Sequence, residues 1–182
     1  MDGTRTRSRS LFVMKHEYIE HIIENIVSIL PRLQTHIKMR KENNRTIIGY
    51  TRKTPSNDSQ EHRTMLLQRV VDCLVSRTLA DCVFVSTSSF ASDLLSERDK
   101  NYSKVTYLRD RQGNTLDFLN YISKVQKFCL DITDFAGFST NVRDIERFAR
   151  TNKNLVETIV DNLPYKSEVT ILTTNNQQSF DT

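Results

Sequence analysis

The chain has 182 residues, with 26 Lys and Arg against 22 Asp and Glu, 37% hydrophobic residues and no Trp. That length suits one domain with an appendage and is enough for a core, while no run approaches the roughly 18 to 20 apolar residues of a membrane-spanning helix. Cys73, Cys82 and Cys129 read as unpaired, small buried hydrophobes, so composition predicts an intracellular protein, cytoplasmic or nuclear, and excludes secreted, membrane-spanning and disulfide-stapled classes.

The first ten residues, MDGTRTRSRS, are basic and polar, and the segment after them is too short and too charged for a signal-peptide core. Residues 1–53 hold 11 Lys and Arg against 5 Asp and Glu. This leading basic excess is compatible with contact to a phosphate backbone. Ile19, Ile22, Ile23, Ile26, Val27 and Leu30 have the spacing of one helix face, which predicts a helix over 15–30 that Pro31 ends or kinks. MRKENNR (39–45) reads as a polar linker.

Next, TIIGYTR (46–52) predicts a strand. A turn at Pro55–Asp58 leads into a helix over 59–77, and CVFVS (82–86) has the continuous apolar character of a strand buried on both faces. Residues 88–101 read as a loop. A strand is expected at 104–110, a turn at Gly113-Asn114, a helix through Leu116–Ile122 and a strand at 127–133. A long helix is expected from Asn141 to Asn162, stopped before Pro164, and a last strand at 168–174. The alternation implies an α/β fold with a mostly parallel sheet and helices on both faces, plus an N-terminal helical extension. Ligands of such sheets bind beyond the carboxyl ends of the strands, at Arg52–Ser56, Ser86–Ser89 and Asp131–Ser139.

With four Gly in all, the chain has no Walker A run and no dinucleotide fingerprint. The cysteines and histidines lack ligand spacing, so no metal and no small-molecule cofactor is expected. The informative segment is Gly49-Tyr50-Thr51-Arg52-Lys53-Thr54. Strand alternation puts Arg52 and Thr54 on the same side, a hydroxyl beside a guanidinium, which suits attack on a phosphodiester with the developing charge held by the cation. Ser96-Glu97-Arg98-Asp99 supplies a second arginine after the next strand.

In this order the segments resemble the catalytic domain of the serine recombinases, the resolvase/invertase family, over roughly residues 46–175. The family's first strand ends in G-Y-x-R-x-S, where this chain has Gly49-Tyr50-Thr51-Arg52-Lys53-Thr54. A helix with an arginine and leucines follows, here His62-Arg63-Thr64-Met65-Leu66-Leu67, then the apolar strand, a serine-rich loop (88–92) and Glu97-Arg98-Asp99. The D-R-L-x-R strand end of the family corresponds to Asp134-Phe135-Ala136-Gly137-Phe138.

The resemblance implies a resolvase-like domain from a mobile-element recombinase. Thr54 stands at the nucleophile position, Arg52 and Arg98 act as phosphate clamps, and Asp134 matches the third motif. Phe135 and Phe138 replace two arginines, and threonine replaces serine, which together imply weak or lost strand exchange, since losing one oxyanion donor costs about 100- to 1,000-fold in rate. Lys53, Arg40, Lys41, Arg45 and Arg143 are the expected DNA contacts, with Arg147 beside the last.

The chain stops about eight residues after the last expected strand, which shifts expected DNA contact to the basic region 1–45. The isoleucine face of 15–30 would pack on the domain or pair two copies as a homodimer. The expected division is a basic tail and helix (1–45), the α/β domain (46–175) and a polar tail (176–182). Two alternatives stay open: a non-catalytic DNA-binding or protein-interaction module, and a nucleotide-cyclase-like fragment suggested by Asp134-Phe135-Ala136-Gly137-Phe138-Ser139 with Asp131 nearby.

Overall fold

A computed structural model describes residues 16–100, 107–162 and 168–173. Six strands form one sheet: β1 (Thr46–Arg52), β2 (Cys82–Ser86), β3 (Arg111–Gly113), β4 (Phe128–Ile132), β5 (Leu155–Asp161) and β6 (Val169–Thr173), in the order β3-β2-β1-β4-β5-β6. The first five run parallel and β6 pairs antiparallel with β5. The helices are α1 (His16–Glu42), α2 (Gln60–Arg77), α3 (Thr115–Ile122), the single turn α4 (Phe135–Phe138) and α5 (Val142–Thr151). The architecture is the expected α/β sheet with helices on both faces. None of the described helices is long and apolar enough to cross a membrane.

Alternation along β1 divides the core. Ile48 and Tyr50 turn toward α3 and α5, where they pack with Phe118, Ile122, Phe138 and Phe148. Ile47 turns the other way, against Leu33 and Ile37 of α1. Beside it, Leu67, Val71 and Leu74 of α2 cover Val83 and Val85 of β2. Gly49 permits that close approach: a Cβ there would lie 3.1 Å from Val83 Cγ2 and 3.3 Å from Leu74 Cδ1.

Four boundaries differ from the sequence reading. Pro31 does not end the first helix, and the expected linker at 39–45 is helical as far as Glu42. A proline inside a helix costs about 3 kcal/mol, and here burial of Leu33 and Ile37, the Arg40–Glu157 ion pair and the His36–Glu157 hydrogen bond offset it. Higher up the same helix Ile23 and Val27 are exposed.

The strand expected at 104–110 lies outside the described residues up to 106; Tyr107–Asp110 are not part of a strand, and β3 begins at Arg111. After it, Gly113 must lack a side chain because a Cβ would meet Asp117 at 2.5 Å, and Asp117 is engaged in the capping box with Asn114 that starts α3. The helix expected over 141–162 ends at Thr151, and Leu155–Asp161 is β5. Its Val156, Thr158, Ile159 and Val160 favour a strand, and the Asn152-Lys153-Asn154 turn breaks the helix; Asn154 Nδ2 donates to the carbonyls of Ile122 and Val125, both at 2.7 Å. The last strand, β6, pairs antiparallel with β5 at the edge of the otherwise parallel sheet.

From β1 the chain steps outward through β2 and β3, then crosses back to β4 and continues the other way. The strand order therefore reverses between β1 and β4, and in sheets of this kind the carboxyl ends at such a point are where a ligand crevice lies.

Candidate functional site

Arg52 ends β1 at this crevice. Its Nε donates to the Ala136 carbonyl at 2.7 Å, and Nη1 donates to Thr54 Oγ1 at 2.9 Å and to the Ser89 carbonyl at 3.0 Å. One side chain thus ties the β4–α4 turn to the loop after β2 and holds the Thr54 hydroxyl beside a guanidinium. Its Nη2 has no hydrogen-bond partner among the described residues. Lys53 follows with its backbone paired on both sides: its N–H donates to Ser86 O, and its carbonyl accepts from Ser89 N.

Arg63, in the first turns of α2, is 7% exposed. It donates through Nη2 to Thr87 O at 2.6 Å and through Nη1 to Ser56 Oγ at 3.1 Å, with longer contacts to the carbonyls of Thr54 and Ser56. These bonds hold the turn that carries Thr54. Ser56 itself donates to Asp58 at 2.7 Å.

Arg98 is 2% exposed and lies beneath the crevice. Nη1 donates to Phe138 O (2.6 Å) and the Tyr50 hydroxyl (3.3 Å), Nη2 to the carbonyls of Ala91 and Asp93, and Nε to Asp93 O. A guanidinium has five N–H donors, and all five are spent on the protein. The bonding continues in one direction: Tyr50 OH donates to Thr115 Oγ1 (2.9 Å), and Thr115 Oγ1 donates to Asp99 Oδ2 (2.6 Å). Asp99 Oδ1 accepts from Ser86. Asp99 takes the left-handed φ of 60° that aspartate tolerates, which turns its carboxylate back onto β2 and α3.

Electrostatics follow from this arrangement. Among the described residues, none of Arg52, Arg63 and Arg98 has a carboxylate oxygen within 4 Å. Burial, then the neighbouring charge of Arg98, pull Arg52 below the ordinary arginine pKa, with Asp134 and Asp93 opposing. Burial raises the Tyr50 phenol, against the pull of Arg98 and Thr115. The cysteine thiols of Cys82 and Cys129 are pushed up by burial to about 11 and about 12, so neither is a nucleophile near neutral pH.

The expected site residues separate into three groups. Arg52, Lys53 and Thr54 sit together at the crevice. Arg98 is next to them but buried, and Asp134 caps α4 by accepting from Gly137 N at 2.5 Å. Phe138 is buried with its ring edge-on to Tyr50 at 5.6 Å, while Phe135 is 47% exposed. Arg143 is exposed near the start of α5.

Arg40, Lys41 and Arg45 lie far from these, where α1 hands over to the amino end of β1. Arg40 is paired twice with Glu157, at 2.7 and 3.1 Å, and Lys41 with Asp81 at 2.6 Å. Asp131 does not join Asp134: it is fully buried under α2, accepting from Thr78 Oγ1. Among the described residues, no three His, Cys, Asp or Glu side chains are grouped to hold a metal ion. Arg63, quoted only as part of the helix motif, and Tyr50, Asp99 and Thr115, given no role by the sequence, hold the crevice together. Tyr50 was the findable one, because a tyrosine in a buried strand needs a partner for its hydroxyl.

No family model, curated protein or solved structure matches the chain. The crevice is therefore interpreted from its own chemistry: guanidinium groups held by neutral carbonyls, one of them with a free edge beside a hydroxyl.

Proposed function

We propose that this chain is a serine-recombinase-like domain that binds the sugar–phosphate backbone of DNA at the carboxyl-end crevice and has lost strand exchange. The observation that carries the reading is Arg52, with Nη1 on the Thr54 hydroxyl and Nη2 open, at the point where the strand order reverses. A phosphate oxygen fits that free N–H edge, and Lys53 adds charge beside it.

Loss of chemistry follows from the same bonds. Arg98 has no donor left for a developing oxyanion, and Phe135 and Phe138 bring none. Among the described residues, no carboxylate or imidazole hydrogen-bonds the Thr54 hydroxyl to take its proton, and an unactivated alcohol is a weak nucleophile.

The test is anisotropy titration of a labelled duplex, with nicked and supercoiled DNA assayed in parallel for a covalent adduct. Arg52→Ala is expected to weaken binding roughly tenfold, as for a lost charge-assisted phosphate contact, and Thr54→Ala by less. Absence of duplex binding by the parent protein sinks the binding half of the proposal. A phosphothreonyl adduct that disappears in Thr54→Ala sinks the other half.

A further inference from the structure

We propose that α5 is a second, extended contact for the DNA backbone, with Arg143, Arg147 and Arg150 as a phosphate-binding row; this rests on the reading that the partner is DNA. At 100° per residue, positions 143, 147 and 150 fall within an arc of about 60°. The opposite side of the helix carries Asp144, Ile145 and Phe148, of which Asp144 and Phe148 are buried and Ile145 packs on the core. All three arginines are exposed. They line a shallow groove with Glu146 and Thr151.

The row keeps its charge. Glu146 is the only carboxylate in that groove, and it approaches Arg150 at just 4.0 Å, with the arginine side chain 80% exposed. The other acidic residue of α5, Asp144, is taken up inside: it accepts from Leu95 N at 2.8 Å and so anchors the loop before Arg98. Exposed Lys153 extends the positive run past the helix end.

Arginine at successive turns suits a linear polyanion. Each planar fork takes a phosphate by two parallel N–H bonds, and the helix spaces the forks by about 6 and about 4.5 Å along its axis. The row also starts in the right place. Asn141, which caps α5, donates to Ser92 O, and Thr140 N donates to Ala91 O, so Arg143 follows directly on the loop that Arg98 and Arg52 hold.

The experiment compares the full chain with the triple variant Arg143→Gln, Arg147→Gln, Arg150→Gln and with Glu146→Gln, titrating a labelled mixed-sequence duplex across a salt series. Circular dichroism confirms that each variant is folded. The triple variant is expected to bind at least roughly tenfold more weakly and to lose about 2 to 3 from the slope of log affinity against log salt, close to one per released counterion. Glu146→Gln should bind more tightly, an effect that damage to the fold does not produce.

If Arg52→Ala weakens binding and the triple variant does not, the α5 row is overturned and the crevice reading stands. If the triple variant weakens binding and Arg52→Ala does not, the row stands and the crevice reading fails. If polyglutamate binds the parent protein and the duplex does not, the row belongs to an acidic protein partner and this proposal is overturned.

Discussion

At the amino end of the sheet, Arg40 meets a carboxylate; at the carboxyl end, Arg52, Arg63 and Arg98 meet backbone carbonyls. Both sets are well bonded, yet they leave different fields behind. The Glu157 carboxylate, completely buried, takes two bonds from Arg40 and one from His36 at 2.7 Å. Burial alone would raise its pKa, but the bonds from Arg40 and His36 outweigh that and hold it below the usual value. Charge cancels there, and α1 is fastened to the sheet. A carbonyl accepts a hydrogen bond without neutralising the donor, so the carboxyl end keeps positive charge that Asp58, Asp93, Asp99 and Asp134 offset without pairing with it. The first arrangement is a structural joint, and the second can still attract an anion.

The comparison breaks most readily at Arg98. Arg98→Ala leaves the carbonyls of Asp93 and Phe138 without their donor, while Ala91 O keeps Thr140 N and the Tyr50 hydroxyl keeps Thr115. A loss of about 4 kcal/mol is expected in denaturant unfolding, since each stranded buried group costs about 1 to 3 kcal/mol. Arg98→Lys should recover only part, because an ammonium has three donors and no fork. If Arg98→Ala instead changes stability by less than about 1 kcal/mol, the carbonyl-held arginines are not what assembles the crevice.

Asp131 sharpens the comparison because a neutral hydroxyl, Thr78 Oγ1, is its partner in place of a cation. Arg77 is bonded to Asp161, and Asp131 Oδ1 has no hydrogen-bond partner among the described residues. Burial raises its pKa to about 8, helped by the Asp161 charge and opposed by Thr78 and Arg77. The group is therefore protonated in the fold while it ionises in the unfolded chain above about pH 4. Stability falls as pH rises from about 4 to about 8 and is flat beyond. Asp131→Asn removes that slope and should be clearly more stable than the parent at pH 8, with little difference at pH 4. Melting curves across pH read this directly, and parallel curves for the two proteins would rule it out.

The smallest of the three effects is expected at the amino end. Glu157→Gln should cost about 2 kcal/mol, the range for a lost charged hydrogen bond. Amide exchange over residues 33–41 should speed up before that of β1 or β4. DNA affinity should stay unchanged, in contrast to Arg52→Ala. A drop in affinity with Glu157→Gln would erase the distinction between the two ends.

Much of this fold was legible because its signals are local. The runs 46–52, 82–86 and 128–132 are rich in apolar and β-branched residues, and 59–77 reads as a helix from Met65, Leu66, Val70, Cys73 and Leu74, although the face it buries is Leu67, Val71 and Leu74 and leaves Met65 exposed. The Arg52–Thr54 pair was legible too, since a period of two brings neighbours-but-one to the same side. β5 was not, because Leu155, Ile159 and Val160 satisfy a helical spacing as well as a strand, and only pairing with β4 on one side and β6 on the other separates the two readings. Pro31 misled in the same way: the local cost is real, but burial of Leu33 and Ile37 exceeds it.

Arg98 shows the limit most clearly. In Ser96-Glu97-Arg98-Asp99 it stands in a polar run that reads as solvated surface, and its burial depends on carbonyls from two loops and a tyrosine 48 residues earlier. The fate of Arg40 likewise depends on Glu157, 117 positions away. Sequence by itself determined the sheet-and-helix alternation and the hydroxyl–guanidinium pair at the end of β1, since each follows from residues within a few positions of one another. Tertiary structure alone decided which arginines are neutralised, which are spent inside and which still face outward, because desolvation and ion pairing depend on neighbours in space that no local period encodes.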